Sequence, residues 1–281
     1  MTEKWEEYYT LDQLKKIQEL ELKNLKVLCD VCDTLEIPFF LYGGSLIGAV
    51  RHQGFVPWDD DLDIAMMRDD YMKFVKEAQT LLPKEYYLQT PYNDPNTPYL
   101  YSKLRLRGTR CIDYIHHRLD MEQGIYVDIY PIDNIPDGDK ELEKAYLAYQ
   151  RNARKYVFRQ SPYPAVEGSS LLRKAKNLAR FILSSYYKLF PQTYFVQRAD
   201  RIMTMYNNVE TMRQGNLSYP EPRNLFYDIL PLEDGIFEGI AIKLPGNWDM
   251  HLCSRYGDYM QLPPEDARVG HTPYILDFGD Y

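Results

Sequence analysis

The sequence predicts an α+β fold, a small mixed β-sheet flanked by helices with a helical lobe appended. Three observations carry this. An amphipathic helical pattern opens the chain, with Leu14, Ile17, Leu25, Leu28 and Leu35 on one side. Between Phe39 and Tyr130, short apolar or alternating runs bounded by Gly, Pro and Asp read as strands. After Asn134-Ile135-Pro136-Asp137-Gly138 the pattern turns helical from about Lys140 to Arg213, then mixed again from Leu225. The expected divisions are residues 1–138 as a core with the N-terminal helix, 139–224 as the lobe, and 225–281 as a mixed segment packing back on the core.

Each element has its own signal. Thr10-Leu11-Asp12-Gln13 is a capping box, so the first helix starts at Leu11 and runs to about Glu36 before Pro38. Phe39-Phe40-Leu41-Tyr42 is a buried strand, broken by Gly43-Gly44-Ser45, with a short helix from Leu46 to Val50. His52 to Trp58 reads as a loop. Asp61-Leu62-Asp63-Ile64-Ala65-Met66-Met67 alternates at its start and reads as a strand with carboxylates on one face. A helix from Asp69 or Asp70 to Leu81 closes at Pro83. Further strands are expected at Tyr86–Gln89, Tyr99–Arg105, Arg110–Tyr114 and Ile125–Tyr130. The lobe is interrupted at Ser161-Pro162-Tyr163-Pro164 and Pro191, and turns are expected at Asp234-Gly235 and Pro245-Gly246.

Composition narrows the class. With 281 residues and 45% hydrophobic content the chain can bury a large core. A formal net charge of -8 argues against a nucleic-acid partner, which would reward counterion release. Cys29 and Cys32 form a C-x-x-C pair on the buried side of the first helix; without a second pair at ligand spacing, packing is the expected role. No apolar run approaches the roughly 20 residues needed to span a bilayer. The expected location is cytoplasmic, or peripheral at the inner face of the cell membrane. The segment Leu171 to Phe190 is basic and amphipathic; it suits either an anionic membrane surface or packing within the lobe.

The chemistry-bearing stretch is Tyr42-Gly43-Gly44-Ser45 followed by Asp59-Asp60-Asp61-Leu62-Asp63. Asp59, Asp61 and Asp63 share one face if the strand holds. Crowded carboxylates are costly unless a cation neutralises them, and hard oxygen donors favour Mg²⁺ or Mn²⁺ over zinc. Two such ions can clamp the attacking and leaving oxygens of a displacement at phosphorus. Gly44 would admit a phosphate closely, and Ser45 at a helix start would aim donors at it. Arg51, His52 and Lys103 are further phosphate-contact candidates. Lys103 alternates with Arg105 on one strand, which either faces the site or forms a solvated edge. Asp128, flanked by Ile125, Val127 and Ile129, needs a partner on a buried strand. A metal site would supply one, a salt bridge is the alternative, and Asp128 is also the candidate general base.

These residues carry a family resemblance. Leu41-Tyr42-Gly43-Gly44-Ser45 through Pro57-Trp58-Asp59-Asp60-Asp61-Leu62-Asp63-Ile64, with Arg68-Asp69-Asp70-Tyr71, resembles the signature of LicD-type phosphocholine transferases. Val127-Asp128-Ile129-Tyr130-Pro131-Ile132-Asp133 resembles its second block. Tyr256-Gly257-Asp258-Tyr259-Met260, Leu262-Pro263-Pro264 and Gly270-His271 resemble its C-terminal block. The lobe carries no matching motif. The resemblance implies a nucleotidyltransferase-like core and transfer of phosphocholine from CDP-choline to a sugar hydroxyl of a bacterial surface glycan, of teichoic acid or lipopolysaccharide type, with release of CMP. The acceptor would be lipid-linked. Carried over by position, Asp61, Asp63 and Asp128 would be the metal ligands and Gly44 and Ser45 would hold the diphosphate. A choline cation would want aromatic faces, for which Trp58, Tyr92, Tyr99 and Tyr101 are candidates; His271 could meet a phosphate. Two alternatives stay open: a true nucleotidyltransferase acting on a small molecule or sugar, and a transferase of another CDP-linked phospho-alcohol such as glycerol or ribitol.

Overall fold

The computed structural model describes residues 10–162, 171–218, 225–227, 229–268, 270–271 and 273–281. The capping box forms: Gln13 N–H donates to Thr10 Oγ1 at 3.2 Å and the Thr10 N–H to Gln13 Oε1 at 2.9 Å, starting α1 (Leu11–Leu35). Its C-cap, Glu36, turns left-handed two residues before Pro38. Strand β1 is Phe40–Leu41. Helix α2 (Gly43–Ile47) starts at the first glycine rather than at Leu46, because Gly43 at φ +58° takes the sharp bend from strand to helix. A π-helical turn, Gly48–His52, continues it and ends where the expected loop from His52 to Trp58 begins. Strand β2 is Asp63–Met67, so Asp61 precedes the strand instead of lying on it.

The chain continues through α3 (Arg68–Glu77), β3 (Tyr86–Gln89), β4 (Ser102–Leu106), β5 (Arg110–Ile112) and β6 (Tyr126–Ile135). The lobe contributes α4 (Asp139–Gln160), α5 (Leu171–Tyr187) and α6 (Gln192–Met203). Next come β7 (Arg213–Gly215), β8 (Leu225–Tyr227), β9 (Glu233–Phe237), β10 (Ile240–Leu244), α7 (Trp248–Tyr256) and β11 (Ile275–Asp277). Tyr163 and Pro164, part of the expected break between α4 and α5, lie outside the described residues.

The main sheet is mixed, in the order β1-β2-β6-β4-β3. The β2–β6 pair is parallel; β1–β2, β6–β4 and β4–β3 are antiparallel. Strand β6 runs past this sheet and its far end pairs with β7, which pairs with β8. One apolar core joins α1 (Leu20, Leu25, Leu28) to Leu41, Ile64, Leu104, Val127 and Ile129 of the sheet. By the two-residue period of a strand, the neighbours Asp63, Lys103 and Asp128 point the other way. Lys103 and Arg105 are both buried, because β4 is internal; the solvated-edge reading of them is overturned.

The expected turn at Asp234-Gly235 lies inside β9. The β9–β10 hairpin turns instead at Glu238-Gly239, both at positive φ. Gly235 has a packing reason: a Cβ there would meet Leu244 Cγ at 2.8 Å. Cys29 and Cys32 are free thiols, and burial pushes the Cys29 thiol up to about 11, so they pack as neutral side chains. None of the described helices is long and apolar enough to cross a membrane.

Candidate active site

Strand register assembles the site. Asp63 on β2 stands opposite Asp128 on β6, and Asp128 stands opposite Lys103 on β4. Three ionisable residues therefore lie abreast across adjacent strands, all buried. Lys103 Nζ donates to Asp128 Oδ1 at 2.5 Å and the Tyr130 hydroxyl to Asp128 Oδ2 at 3.2 Å, so both oxygens of Asp128 are engaged. The sequence left Asp128 open between metal ligand and salt-bridge partner; here it is ion-paired. Lys103 also lies 3.5 Å from the ring centroid of Tyr126, 4.5 Å from Tyr99 and 5.4 Å from Tyr101. Burial pushes its pKa down and Asp128 pulls it back up.

A second group of carboxylates lies just before β2. Asp59 and Asp61 are within hydrogen-bonding reach of one another. Asp59 is held well above the usual carboxylate range, first by burial and then by the charge of Asp61. Asp61 is raised by burial, with the nearby His271 cation opposing the shift. Gly44 makes room for this pair: a Cβ there would fall 2.9 Å from Asp59 Oδ2. Gln18 on α1 braces the loop by donating to the Asp59 carbonyl at 2.9 Å.

Two contributors were not singled out from the sequence. Asp60 is buried and accepts from the His271 backbone N–H at 2.8 Å, with His271 Nδ1 at 3.2 Å. This bond raises the His271 pKa to about 9, and Asp61 Oδ2 adds to it from 3.7 Å. The His271 side chain is 67% exposed, so solvent screens the pair and the hydrogen bond, not burial, carries the direction. Glu21, on the buried side of α1 and 1% exposed, is pushed well up by burial and then by Asp61, Asp60, Asp59 and Asp128; its Oε2 finds no hydrogen-bond partner. Its signal was an acidic residue in a core slot of the α1 pattern.

Other predicted residues are placed differently from expectation. Ser45 is buried in the first turn of α2, and its Oγ accepts from the Asp63 N–H at 2.9 Å, bracing the start of β2. Arg51 donates to the Tyr259 carbonyl at 2.7 Å and to His52 Nε2 at 2.8 Å, tying the π-helical turn to the C-terminal segment. His52 accepts the second of these bonds, and its pKa is lowered by burial and then by Arg51. Tyr99 and Tyr101 surround Lys103, so the aromatic faces proposed for choline already meet an ammonium of this chain. Tyr92 donates to Asp200 on α6 at 3.0 Å and belongs to the lobe contact.

Trp58 alone of the four aromatic candidates lines a cavity beside the site's carboxylates. This cavity, of about 920 Å³, is bounded by Gly44, Arg51, Trp58 and Asp59 on one side and Tyr256, Tyr259 and Arg268 on the other. The Arg268 guanidinium lies over the Trp58 ring at 5.1 Å, showing that this face accepts a cation. Asp59 and Gly44 connect the cavity to the carboxylates.

Among the described residues no three His, Cys, Asp or Glu side chains stand together as a ready-made ion cage. The donor chemistry nevertheless fits a hard divalent cation. Asp59 and Asp61 are close enough to share a proton, and a cation there would relieve the charge that burial makes costly. Asp63 follows two residues on. Asp128 could join through a lone pair that neither Lys103 nor Tyr130 uses.

Comparison with known proteins gives a consistent match. The domain described as LicD/FKTN/FKRP, nucleotidyltransferase domain matches residues 36–165. The lipopolysaccharide cholinephosphotransferase LicD of Haemophilus influenzae is 26% identical over 275 residues, covering 92% of this chain and 100% of the relative. An uncharacterised protein of Rickettsia typhi is 36% identical over 137 residues, 45% of this chain and 41% of its own length. A second uncharacterised protein, from Rickettsia prowazekii, is 38% identical over 86 residues, 28% of this chain and 31% of its own.

Proposed function

The chain belongs to the LicD family, whose domain spans residues 36–165, and on that premise we propose that it transfers phosphocholine from CDP-choline to a sugar hydroxyl of a bacterial surface glycan precursor and releases CMP. The lipopolysaccharide activity in the name of the Haemophilus relative supports the lipopolysaccharide type of acceptor over the teichoic acid type. The nucleotidyltransferase description of the matched domain supports a nucleotidyltransferase-like core. The single observation that carries the reading is the Asp59–Asp61 carboxylate pair, inside the matched residues, with Asp59 lining a cavity large enough for a nucleotide-linked donor.

Asp61 and Asp63, with Asp59 beside them and Asp128 as the third carboxylate that the family resemblance implies, would hold Mg²⁺ or Mn²⁺. When bound, such a cation supplies charge neutralisation at the transferred phosphoryl group and at the leaving CMP. The chain's own residues do the rest. Gly44 keeps the approach to Asp59 clear. Trp58, Tyr256 and Tyr259 offer the cavity's aromatic faces to a quaternary ammonium, with Arg268 giving way over Trp58. Lys103 holds Asp128 in line with Asp63; if Asp128 loosens, the freed ammonium is a donor for a phosphate oxygen. Arg51, anchored to Tyr259, closes the cavity wall.

Incubation with Mg²⁺, CDP-choline and a lipopolysaccharide-type acceptor is expected to release CMP and place choline on the acceptor. Asp61→Asn and Asp63→Asn should each cost more than about 100-fold in rate, beyond the usual effect of losing an outer partner of a metal site. Pyrophosphate release from a nucleoside triphosphate, with no CMP from CDP-choline, would replace this reading with a true nucleotidyltransferase. Turnover of CDP-glycerol or CDP-ribitol in preference to CDP-choline would move the head group.

A further inference from the structure

Helix α5 presents its apolar side outward. The side turned to the rest of the lobe carries Asn177, Arg180, Ser184 and Tyr187. Ser184 is buried, and Arg180 donates to the Ser161 carbonyl at 3.1 Å and lies over the Phe158 ring at 5.1 Å. Tyr187 meets Phe195 of α6 at 6.1 Å. At 100° per residue, Leu171, Leu178 and Ile182 fall within an arc of about 40° on the opposite side. They are 85%, 61% and 58% exposed. Tyr186 stands beside them at 53%, Phe181 on one flank at 60%, and Leu189 follows the helix at 78%. Singly exposed apolar residues are ordinary; a contiguous stripe of this length marks a surface that something covers.

Charge says what covers it. Lys174 flanks the stripe about 60° from its centre, Lys176 lies about 140° round on the other side, beyond the exposed Leu172, and Lys188 follows the helix. Between Leu171 and Phe190 there are five basic residues and no acidic one. We propose that the outward face of α5 lies in the plane of an anionic phospholipid surface, with Leu178 and Ile182 among the acyl chains and these lysines at the headgroups. A second copy of the chain fits the same face poorly, because a symmetric contact would bring two sets of these lysines together. Of the two sequence readings of this segment, packing of its apolar side within the lobe is therefore set aside. The inference does not use the proposed reaction and stands or falls separately from it.

Co-sedimentation of the full chain with vesicles of phosphatidylcholine alone, or with phosphatidylglycerol added, tests it. Wild-type protein should partition at least about tenfold more strongly into the anionic vesicles, with the difference fading as salt is raised. The Leu178→Ser/Ile182→Ser double variant should lose at least about tenfold of that partition while keeping the wild-type melting temperature. Lys174→Gln/Lys176→Gln, which leaves the apolar stripe untouched, should reduce the preference for anionic over neutral vesicles and guards against a folding defect in the first variant. Absence of wild-type partition, or equal partition into both vesicle types, overturns the proposal. So does a lipid-independent dimer in sedimentation velocity that Leu178→Ser/Ile182→Ser dissolves.

Discussion

Gly44 and Asp59 illustrate how much a single missing side chain can decide. The carboxylate of Asp59 lies where a Cβ on residue 44 would need to be, at 2.9 Å, so the glycine admits an acidic group of this chain before it admits any phosphate. Gly44→Ala should move Asp59 with little loss of stability, below about 1 kcal/mol by urea denaturation, yet abolish the melting-temperature rise produced by Mn²⁺. An unchanged Mn²⁺ response would separate Asp59 from the ion. His271 offers a pH readout. Its pKa is raised from 6.5 to about 9, so the stability from its charged bond to Asp60 is full below pH 6.5 and lost as pH rises through about 9. The melting temperature of the wild type should therefore fall relative to His271→Gln across that window. Asp61 and Asp63 were legible in the sequence because crowded acids beside a Gly-Gly-Ser turn carry a chemical reason of their own. Glu21 was hidden, because a helical period assigns its slot to the core without saying what faces it.

Strand β6 links two parts of the molecule. Its first half lies between β2 and β4 and carries Asp128; its second half pairs with β7 and carries Asp133. Arg68, at the start of α3, donates from Nε to Asp133 Oδ1 at 2.8 Å and makes a second bond to Oδ2, while Asp200 on α6 lies 3.5 Å away. Asn207 also donates to Asp133 at 2.7 Å. A buried guanidinium left without its main partner is costly, so Asp133→Asn should destabilise the protein by about 3–5 kcal/mol, read from urea unfolding. A change below about 1 kcal/mol would mean that Asp200 alone satisfies Arg68. The sequence located the first half of β6, because apolar alternation is local, but its expected end at Tyr130 left out the half that carries Asp133, and β7 fell where helix was expected. It misplaced the start of α2 and the β9–β10 turn, where Gly43 takes a left-handed bend and Gly235 clears space for Leu244 across the hairpin.

Across the whole molecule, the acidic site is a standing cost that an ion or protons can relieve. The pKa values of Asp59, Asp61 and Glu21 all lie above their ordinary range, so between the ordinary and raised values the folded chain binds more protons than the unfolded one. Stability contributed by this cluster therefore falls as pH rises through that interval. Mn²⁺ or Mg²⁺ should raise the melting temperature at pH 7.5, and the rise should shrink toward pH 5 as protons compete for the same oxygens. Asp61→Asn should show a smaller rise at both values. A response to Mn²⁺ that is equal at both pH values, or equal in Asp61→Asn, would place the ion elsewhere. The same site draws on remote segments. Residues from α1, the 59–63 loop, β4, β6 and the C-terminal segment meet there, and Arg51 is tied to Tyr259 from the other end of the chain.

By itself the sequence determined the mixed α/β class, the first helix with its cap, the strand segments up to Tyr130 and the acidic motif, since each depends on residues close together in the chain. Tertiary structure alone decided that Asp63, Asp128 and Lys103 stand abreast, that Lys103 lies among the rings of Tyr99, Tyr101 and Tyr126, and that the apolar side of α5 faces away from the lobe. Those outcomes depend on strand order, register and helix rotation. They are set by which surfaces pack against which, and no local period encodes that choice.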